Sequence, residues 1–122
     1  MPRNMSFRLT TDQIKNRTKT VTRRVGWDCL KPGEIVNACV KCMGFKKGEK
    51  IERLCQIRIV DVRQERLVSM HVYDPGNMEA RLEGFPKMSN QQFIDMFCEN
   101  MKCDEDTEVN RIEFEYVDGE ST

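Results

Sequence analysis

The sequence lacks any long hydrophobic run and is poor in histidine, since His71 is the only one in 122 residues. A membrane-spanning helix needs about 20 consecutive apolar residues, so a membrane partner is excluded. No apolar segment follows the first basic residue, so we expect no secretory signal and a cytoplasmic location. One imidazole supplies neither a histidine pair for acid–base cleavage nor a histidine cluster for a metal.

The chain also has no net charge, yet its two halves differ in sign. Residues 1–50 contain 12 lysines and arginines against 4 acidic residues, whereas residues 51–122 contain 8 against 16. If the fold keeps the basic residues of the first half on one face, that face attracts anionic ligands. The alternative is that the two halves interleave as salt-bridged strands, which would cancel the asymmetry.

Six cysteines are present, at positions 29, 39, 42, 55, 98 and 103. In the absence of a secretory signal we expect reduced thiols rather than disulfides. Cys39 and Cys42 have the spacing of zinc ligands, and Cys98 and Cys103 are their candidate partners. However, residues three apart in a strand point to opposite faces. We therefore predict no metal and no cofactor, and a zinc-stabilised interaction domain stays an alternative.

Short strands with Gly and Pro turns, interrupted by a few helices, dominate the predicted secondary structure. The predicted strands cover residues 6–9, 19–24 (strand or turn), 35–42, 51–62 and 111–117. Residues 35–42 and 51–62 are expected to pair as a hairpin. This order of elements predicts an α+β protein, built as a small, partly open β-barrel with two or three short helices at its mouth.

Three segments carry helix signals. Thr10–Gln13 and Ser89–Gln92 both have the capping-box pattern, and residues 77–83 form a short helix that Gly84 ends. In the helix after Ser89 the large apolar residues recur at helical spacing; they are Phe93, Met96, Phe97 and Met101. This stripe predicts a core-facing surface rather than a cofactor site.

The densest cluster of polar side chains is Lys19-Thr20-Val21-Thr22-Arg23-Arg24. It places a primary amine, two hydroxyls and two guanidinium groups within six residues, shortly before the only tryptophan, Trp27. This composition favours contact with a polar, phosphate-bearing ligand. The same pattern is also typical of an exposed β-hairpin, in which threonine and basic residues alternate on a solvated strand.

This segment resembles the signature Gly-x-Lys-x-x-Thr-x-Arg of the ASCH domain, a small β-barrel of the PUA-like superfamily. Lys19, Thr22 and Arg24 match the signature, whereas Arg17 occupies the position of the glycine. Because arginine adopts a positive φ reluctantly, the turn before Lys19 is the point at which this chain departs from the family. The resemblance implies a single ASCH-like domain over residues 1–122, with its core at about 6–117.

Three further segments support the resemblance by their order along the chain. Leu30–Glu34 resembles the family's Lys-x-Gly-Asp/Glu turn, Arg111–Phe114 resembles the closing strand, and Glu83-Gly84-Phe85 resembles the segment in which family enzymes carry a functional glutamate. The family implies binding of RNA or a modified nucleoside in a cleft between barrel and helices. Some members hydrolyse the amide of N4-acetylcytidine, and another is described as a ribonuclease.

The resemblance implies that Lys19, Thr22 and Glu83 are catalytic. A threonine hydroxyl is a poor nucleophile and needs a base, and a lysine whose pKa is lowered by desolvation or by nearby cations can serve. Arg23 and Arg24 are close enough in sequence to supply such cations. Glu83 would then pass a proton to the departing amine.

The predicted RNA- or ligand-binding residues are Arg17, Thr20, Arg23, Arg24 and Trp27. The catalytic and binding residues also have other interpretations. Lys19 and Arg24 could contact phosphates without any chemistry, and Trp27 could either stack on a base or pack against the core. The sequence therefore leaves open an amidohydrolase acting on a modified cytidine, a non-catalytic RNA-binding module and a ribonuclease.

Overall fold

The computed structural model describes residues 2–70 and 76–117. Within these ranges, five strands and three helices follow one another in the order β1 Arg3–Ser6, α1 Thr11–Lys15, β2 Val21–Arg24, β3 Ile35–Cys39, β4 Arg53–Arg66, α2 Met78–Leu82, α3 Asn90–Met101 and β5 Glu108–Tyr116. One turn of 3₁₀-helix, Arg8–Thr10, precedes α1. His71 lies outside the described residues.

All five strands belong to one mixed sheet, in the order β1-β3-β4-β5-β2. β1 runs parallel to β3, and the other neighbours are antiparallel, including the predicted pair β3 and β4. The sheet curves into an open half-barrel whose two edges are β1 and β2. The Arg24 side chain links these edges, because its Nη2 donates to the Ser6 carbonyl oxygen over 2.6 Å. The predicted α+β, partly open barrel is confirmed.

The long strand β4 holds the half-barrel together. Its first part pairs with β3, and most of its length pairs with β5. The register with β5 shifts between Ile59 and Asp61. Such a bulge bends the strand and increases its twist, which allows 14 residues to follow the curvature of the sheet.

Two hydrophobic cores are present among the described residues. The first fills the half-barrel and includes Met5, Phe7, Ile57 and Phe114. The second lies under the helices and comprises Leu67, Met70, Ala80, Phe93, Ile94 and Val109. A cleft remains where the 3₁₀ turn and β2 face α3, and this cleft contains the candidate site.

The predicted strand at 6–9 was wrong. β1 ends at Ser6, and the chain then turns, so that the Thr11 hydroxyl donates to the Phe7 carbonyl oxygen over 2.9 Å. The capping box at Thr10–Gln13 was also wrong, because the side-chain amide of Gln13 donates instead to the Gly84 carbonyl oxygen over 3.2 Å. A long-range contact thus replaced the local one.

The second capping box is confirmed. The Ser89 side chain accepts from the Gln92 backbone N–H, and the Gln92 side chain accepts from the Ser89 N–H.

Within residues 2–70 and 76–117, no helix has the length and apolar character that crossing a bilayer would require.

Candidate active site

The backbone of Lys19 and Thr20 is held by hydrogen bonds from two elements, α2 and β5. The Thr20 N–H donates to the Leu82 carbonyl oxygen, and the Thr20 carbonyl oxygen accepts from the Phe114 N–H, each over 2.9 Å. The Tyr116 hydroxyl donates to the Lys19 carbonyl oxygen over 2.6 Å. The segment before β2 is therefore tied to both α2 and β5, which directs the Lys19 side chain into the cleft.

Arg17 adopts the left-handed conformation that the family glycine would permit, with φ at 58°. Its guanidinium lies over the Tyr116 ring, 5.3 Å from the centroid. A residue other than glycine pays a steric cost in this region of φ, and the contact with Tyr116 offsets part of it. The turn before Lys19 thus has, at Arg17, a positive φ of the kind that glycine adopts without strain.

Glu83 directly follows α2, and Gly84 then turns the chain with φ at 102°. A Cβ at Gly84 would lie 2.8 Å from Gln13 Cγ and 3.4 Å from Lys19 Cβ. The absence of a side chain at Gly84 therefore allows α1, Lys19 and Glu83 to approach one another closely.

Gly84→Ala is expected to lower the free energy of unfolding by about 1–3 kcal/mol, because the added methyl group combines backbone strain with overpacking. Chemical denaturation followed by circular dichroism measures this change. Gly76→Ala is the matched control, since a Cβ there meets no atom of the described residues within 4 Å and φ is not positive. Equal midpoints for the two variants would contradict the prediction.

Lys19 and Glu83 form a buried ion pair. Lys19 Nζ lies 2.6 Å from Glu83 Oε1 and 2.9 Å from the Glu83 carbonyl oxygen, and the two side chains are 3% and 2% exposed. Burial lowers the pKa of Lys19, against the opposing effect of the Glu83 charge, while Arg24 and Arg23 lower it further. The predicted direction is therefore found, but burial is the main cause and the arginines contribute less.

Arg23 lies on the other side of the Glu83 carboxylate. Its Nη1 donates to Glu83 Oε2 over 3.0 Å, its Nη2 lies 3.2 Å from Glu65 Oε2, and it also pairs with Glu79. Burial alone would lower the pKa of Arg23, but the charge of Glu83 and the hydrogen bond to Glu79 raise it. Three carboxylates thus engage a guanidinium that the sequence had suggested for ligand binding.

Thr22 and Arg24 form the next layer of the site. Arg24 Nε donates to Thr22 Oγ1 over 3.1 Å, and the guanidinium lies 4.8 Å from the centroid of the Phe7 ring. Burial lowers the pKa of Arg24 to about 10. No carboxylate of the described residues forms an ion pair with Arg24. This side chain is therefore a partly buried cation that can interact with a negatively charged group of a ligand.

These side chains border a cavity of about 340 Å³, a volume in the range of small-molecule sites. Its polar lining includes Lys19, Thr22, Arg24 and Glu83. Its apolar walls come from the turn before α1, from the loop after β2 and from α3; they include Phe7, Leu9, Val25, Trp27, Phe85, Phe93, Met96, Phe97 and Met101. A flat, largely apolar ring with polar edges fits such a site.

Three solved structures resemble this fold. No protein-family model and no curated protein matches the sequence. The crystal structure of an ASCH domain from Lactobacillus crispatus JV V101 superposes with a TM-score of 0.57 at 15% identity, covering 93% of this chain and 78% of that chain. The chain has the ASCH-domain fold.

Two further neighbours agree with the ASCH fold. The hypothetical protein PH0355 has a TM-score of 0.62 at 15% identity, covering 96% of this chain and 100% of that one. Protein EF3133 from Enterococcus faecalis V583, of family DUF984, has a TM-score of 0.61 at 15% identity, covering 96% of this chain and 80% of that one. The resemblance inferred from the sequence motifs is thus confirmed at the level of fold.

The ASCH fold brings some of the predicted site residues together and separates others. Lys19, Thr22, Arg23, Arg24, Trp27 and Glu83 line the same cavity. Arg17 and Thr20 are not among its lining residues: Arg17 stacks on Tyr116, and Thr20 contributes its backbone to the contacts with α2 and β5. Trp27 is partly buried against the barrel core, with Arg3 over its ring at 5.1 Å, and still borders the cavity.

The apolar stripe of α3 has two roles rather than the single one predicted. Phe93 belongs to the second core, as expected. Met96, Phe97 and Met101 are less buried and also form a wall of the cavity, so the stripe is not exclusively a core surface. Part of the apolar stripe of α3 is therefore available for contact with a ligand.

The cysteines take no part in this cavity. All six are free thiols, and Cys39 is buried in β3 with its Sγ near the Asn37 carbonyl oxygen. Cys98 and Cys103 are neighbours at the end of α3, where burial and the Cys103 side chain raise the pKa of Cys98 to about 11. Across the described segments no three potential ligand side chains gather at one point, so the two cysteine pairs do not form a joint site.

Three functional candidates were missed by sequence reasoning: Glu65, Glu79 and Arg111. Arg111 Nε donates to Glu79 Oε1 over 2.7 Å, and Arg111 Nη2 donates to Glu79 Oε2 over 3.1 Å. Burial alone would raise the pKa of Glu79, but hydrogen bonds from Arg111 and Arg23 lower it to about 2. The only signal in the sequence for this group of residues was Arg111, a cation within a predicted strand, and the structure shows that most of this strand is buried.

Proposed function

We propose that this ASCH-fold protein hydrolyses the amide of an N-acylated nucleobase, with N4-acetylcytidine as the first substrate to test. The observation that carries the proposal is the buried pair of Lys19 and Glu83 in a cavity that Thr22 also lines. A buried ionisable group whose pKa is perturbed, as that of Lys19 is, beside a charged partner in a cleft is typical of catalytic sites. The aromatic and methionine side chains around them suit a planar base.

The proposed reaction begins with a proton transfer. Lys19, in its neutral form, accepts the proton of the Thr22 hydroxyl while Thr22 Oγ1 attacks the acyl carbonyl carbon. The C–N bond then breaks, and the proton on Lys19 passes to the departing amine of the base. Water, deprotonated in turn by Lys19, hydrolyses the resulting threonine ester and releases acetate. The proton that Lys19 took from water passes to the departing Thr22 oxygen, which completes the cycle.

Glu83 and Arg24 assist this cycle without changing covalently. Glu83 Oε1 orients the Lys19 amine and stabilises it when it is protonated, over the 2.6 Å contact. Both oxygens of Glu83 are engaged by cations, so Lys19 rather than Glu83 is the proton donor to the leaving amine. Arg24, which donates to Thr22 Oγ1, is placed to stabilise negative charge that develops beside that oxygen.

The test is release of acetate from N4-acetylcytidine by the purified protein. Lys19→Ala, Thr22→Ala and Glu83→Ala are each expected to lower turnover by at least about 10²-fold, because each removes a group that acts in the transition state. Lys15→Ala, a substitution of an exposed lysine in α1, should retain wild-type turnover. Turnover that persists in all three site variants would overturn the assignment.

A second candidate function is RNA binding without catalysis, and one surface favours it. The hairpin between β3 and β4, residues 40–52, contains the exposed lysines 46, 47 and 50, none of which forms an ion pair with a described carboxylate. The hairpin starts beside the cavity, since the Phe7 N–H donates to the Cys39 carbonyl oxygen and Ser6 Oγ donates to the Val40 carbonyl oxygen. Phosphates could therefore follow the hairpin to the cavity mouth.

RNA binding predicts a steep salt dependence. Replacing Lys46, Lys47 and Lys50 with glutamine should weaken binding of a single-stranded RNA at low salt and reduce the slope of log K against log salt concentration by about 2. Replacing Lys15, Lys31 and Lys87, which are equally exposed, is the charge-matched control. Fluorescence anisotropy at several salt concentrations measures both quantities. An equal loss in the two triple variants would contradict a specific role for the hairpin.

A further inference from the structure

Arg23 occupies an unusual position between two groups of carboxylates. On one side its Nη1 donates to Glu83 Oε2 over 3.0 Å, and on the other side it pairs with Glu79 and Glu65. The other oxygen of Glu83 lies 2.6 Å from Lys19 Nζ. A carboxylate held at both oxygens has one orientation, so the position of Arg23 determines where Glu83 meets the Lys19 amine.

We propose that Arg23 is a positioning residue, which holds Glu83 against Lys19 and is itself held in place by Glu79 and Arg111. The effect on turnover rests on the proposed hydrolysis, whereas the effect on Lys19 does not. Arg23 is not one of the matched residues of the Lys-x-x-Thr-x-Arg pattern, and its side-chain hydrogen bonds go to Glu65, Glu79 and Glu83 rather than to the Thr22 hydroxyl or the Lys19 amine.

The sheet register explains why Arg23 needs its carboxylates. Arg23 of β2 is the register partner of Arg111 of β5, and Arg111 is in turn the partner of Arg63 of β4. Like charges directly opposite one another on adjacent strands repel. Glu79, from α2, contacts both Arg23 and Arg111 through its Oε1 and thereby offsets this repulsion.

The same arrangement ties α2 to the sheet. Glu79 lies in the first turn of α2, and Glu83 follows the last turn, so both ends of this short helix are fixed through one guanidinium. Arg23 can therefore transmit the position of α2 to Lys19. A lysine at position 23 would keep the positive charge, but its single amine could not replace the two guanidinium nitrogens that bind Glu83 and Glu79 separately.

Lys19 is the group on which Arg23 should act. The charged groups that influence Lys19 are Glu83 from the turn after α2 and Arg23 and Arg24 from β2, while Tyr116 of β5 reaches only its backbone oxygen. Removal of Arg23 takes away a cation that lowers the pKa of Lys19, and it leaves Glu83 to interact with Lys19 alone. Both changes raise the pKa of Lys19, so less neutral amine is present at pH 7.

Steady-state kinetics of acetate release test the role in turnover. Arg23→Gln is expected to lower kcat at pH 7 by about 10²-fold with little change in KM, because substrate contacts remain while the base is misplaced and protonated. The lost kcat should return in part as the pH is raised, and Arg23→Lys should restore part of it at pH 7. If Arg23→Gln only destabilised the protein, a higher pH would not restore kcat, and Arg23→Lys would not restore it at pH 7.

Titration of Lys19 tests the inference without any substrate. In protein labelled with ¹³C at the lysine ε-carbons, the Lys19 signal is identified by its loss in Lys19→Met. Its midpoint should move to higher pH in Arg23→Gln and move less in Arg23→Lys. Arg63→Gln is the matched control, because Arg63 belongs to the same arginine row but is 58% exposed and pairs with Glu65 rather than with Glu83.

The outcomes separate the two proposals. A shifted Lys19 titration together with an inactive wild-type protein would refute the hydrolysis and support the positioning role. An unshifted Lys19 titration in folded Arg23 variants, with kcat and KM as in the wild type, would overturn the positioning role and leave the hydrolysis intact. If Arg23→Gln does not fold, Arg23→Lys decides by the same two measurements.

Discussion

Glu83→Gln is expected to lower the free energy of unfolding by about 3–5 kcal/mol, because it leaves the buried Lys19 amine and one arm of Arg23 without a counter-charge. The two members of the Lys19–Glu83 pair are 3% and 2% exposed, so water compensates poorly for the missing carboxylate. Urea denaturation followed by circular dichroism measures the loss. Glu115→Gln is the matched control, since its ion pair with Arg58 is exposed and contributes little.

A double variant separates stability from catalysis at this pair. Lys19→Met combined with Glu83→Gln removes both charges, and Arg23 keeps Glu79 and Glu65 as partners. The double variant should therefore regain much of the stability that Glu83→Gln loses, but none of the turnover. A Glu83→Gln protein that unfolds at the same urea concentration as Glu115→Gln would contradict the buried-pair interpretation.

Thr22→Val is expected to reduce acetate release by about 10³-fold or more, because valine preserves the shape of the side chain but removes the proposed nucleophile. Thr22→Ser, which keeps the hydroxyl, should retain most of the turnover. The valine variant also leaves Arg24 Nε without its acceptor, so a loss of stability of about 1–3 kcal/mol should accompany it.

Binding of the product distinguishes the nucleophile from a ligand contact. Cytidine should bind Thr22→Val about as well as it binds the wild type, because the aromatic and methionine walls of the cavity are unchanged. Isothermal titration calorimetry measures this affinity. A valine variant with turnover within tenfold of the wild type would refute a covalent role for Thr22 and favour activation of water by Lys19 directly.

Much of the secondary structure could be predicted because its signals are local. The capping box at Ser89 and the pairing of β3 with β4 depend on residues close in sequence, and both were found. The error at residues 10–13 has a long-range cause, because the Gln13 side chain donates to the distant Gly84 carbonyl oxygen instead of completing a local cap.

For the candidate site too, the residues close together in sequence could be predicted, whereas the contacts between distant residues could not. Lys19, Thr22 and Arg24 are recognisable as a motif because they lie within six residues. Glu83 is 64 residues from Lys19, and it was identified only through the resemblance to a family. Arg23 was assigned to ligand binding, since no local rule shows that three carboxylates from β4, α2 and the turn after α2 would surround it.

The sequence by itself determined the ASCH-type order of elements, the polar segment from Lys19 to Arg24 and the absence of a histidine cluster, because composition and short-range spacing are properties of the chain alone. Only the tertiary structure decided which of the cations in this segment are paired with carboxylates. Burial and strand register place Arg23 among Glu65, Glu79 and Glu83, while Arg24 keeps no carboxylate partner in the described part of the chain. Ion pairs across strands arise from folding, so a sequence pattern does not contain them.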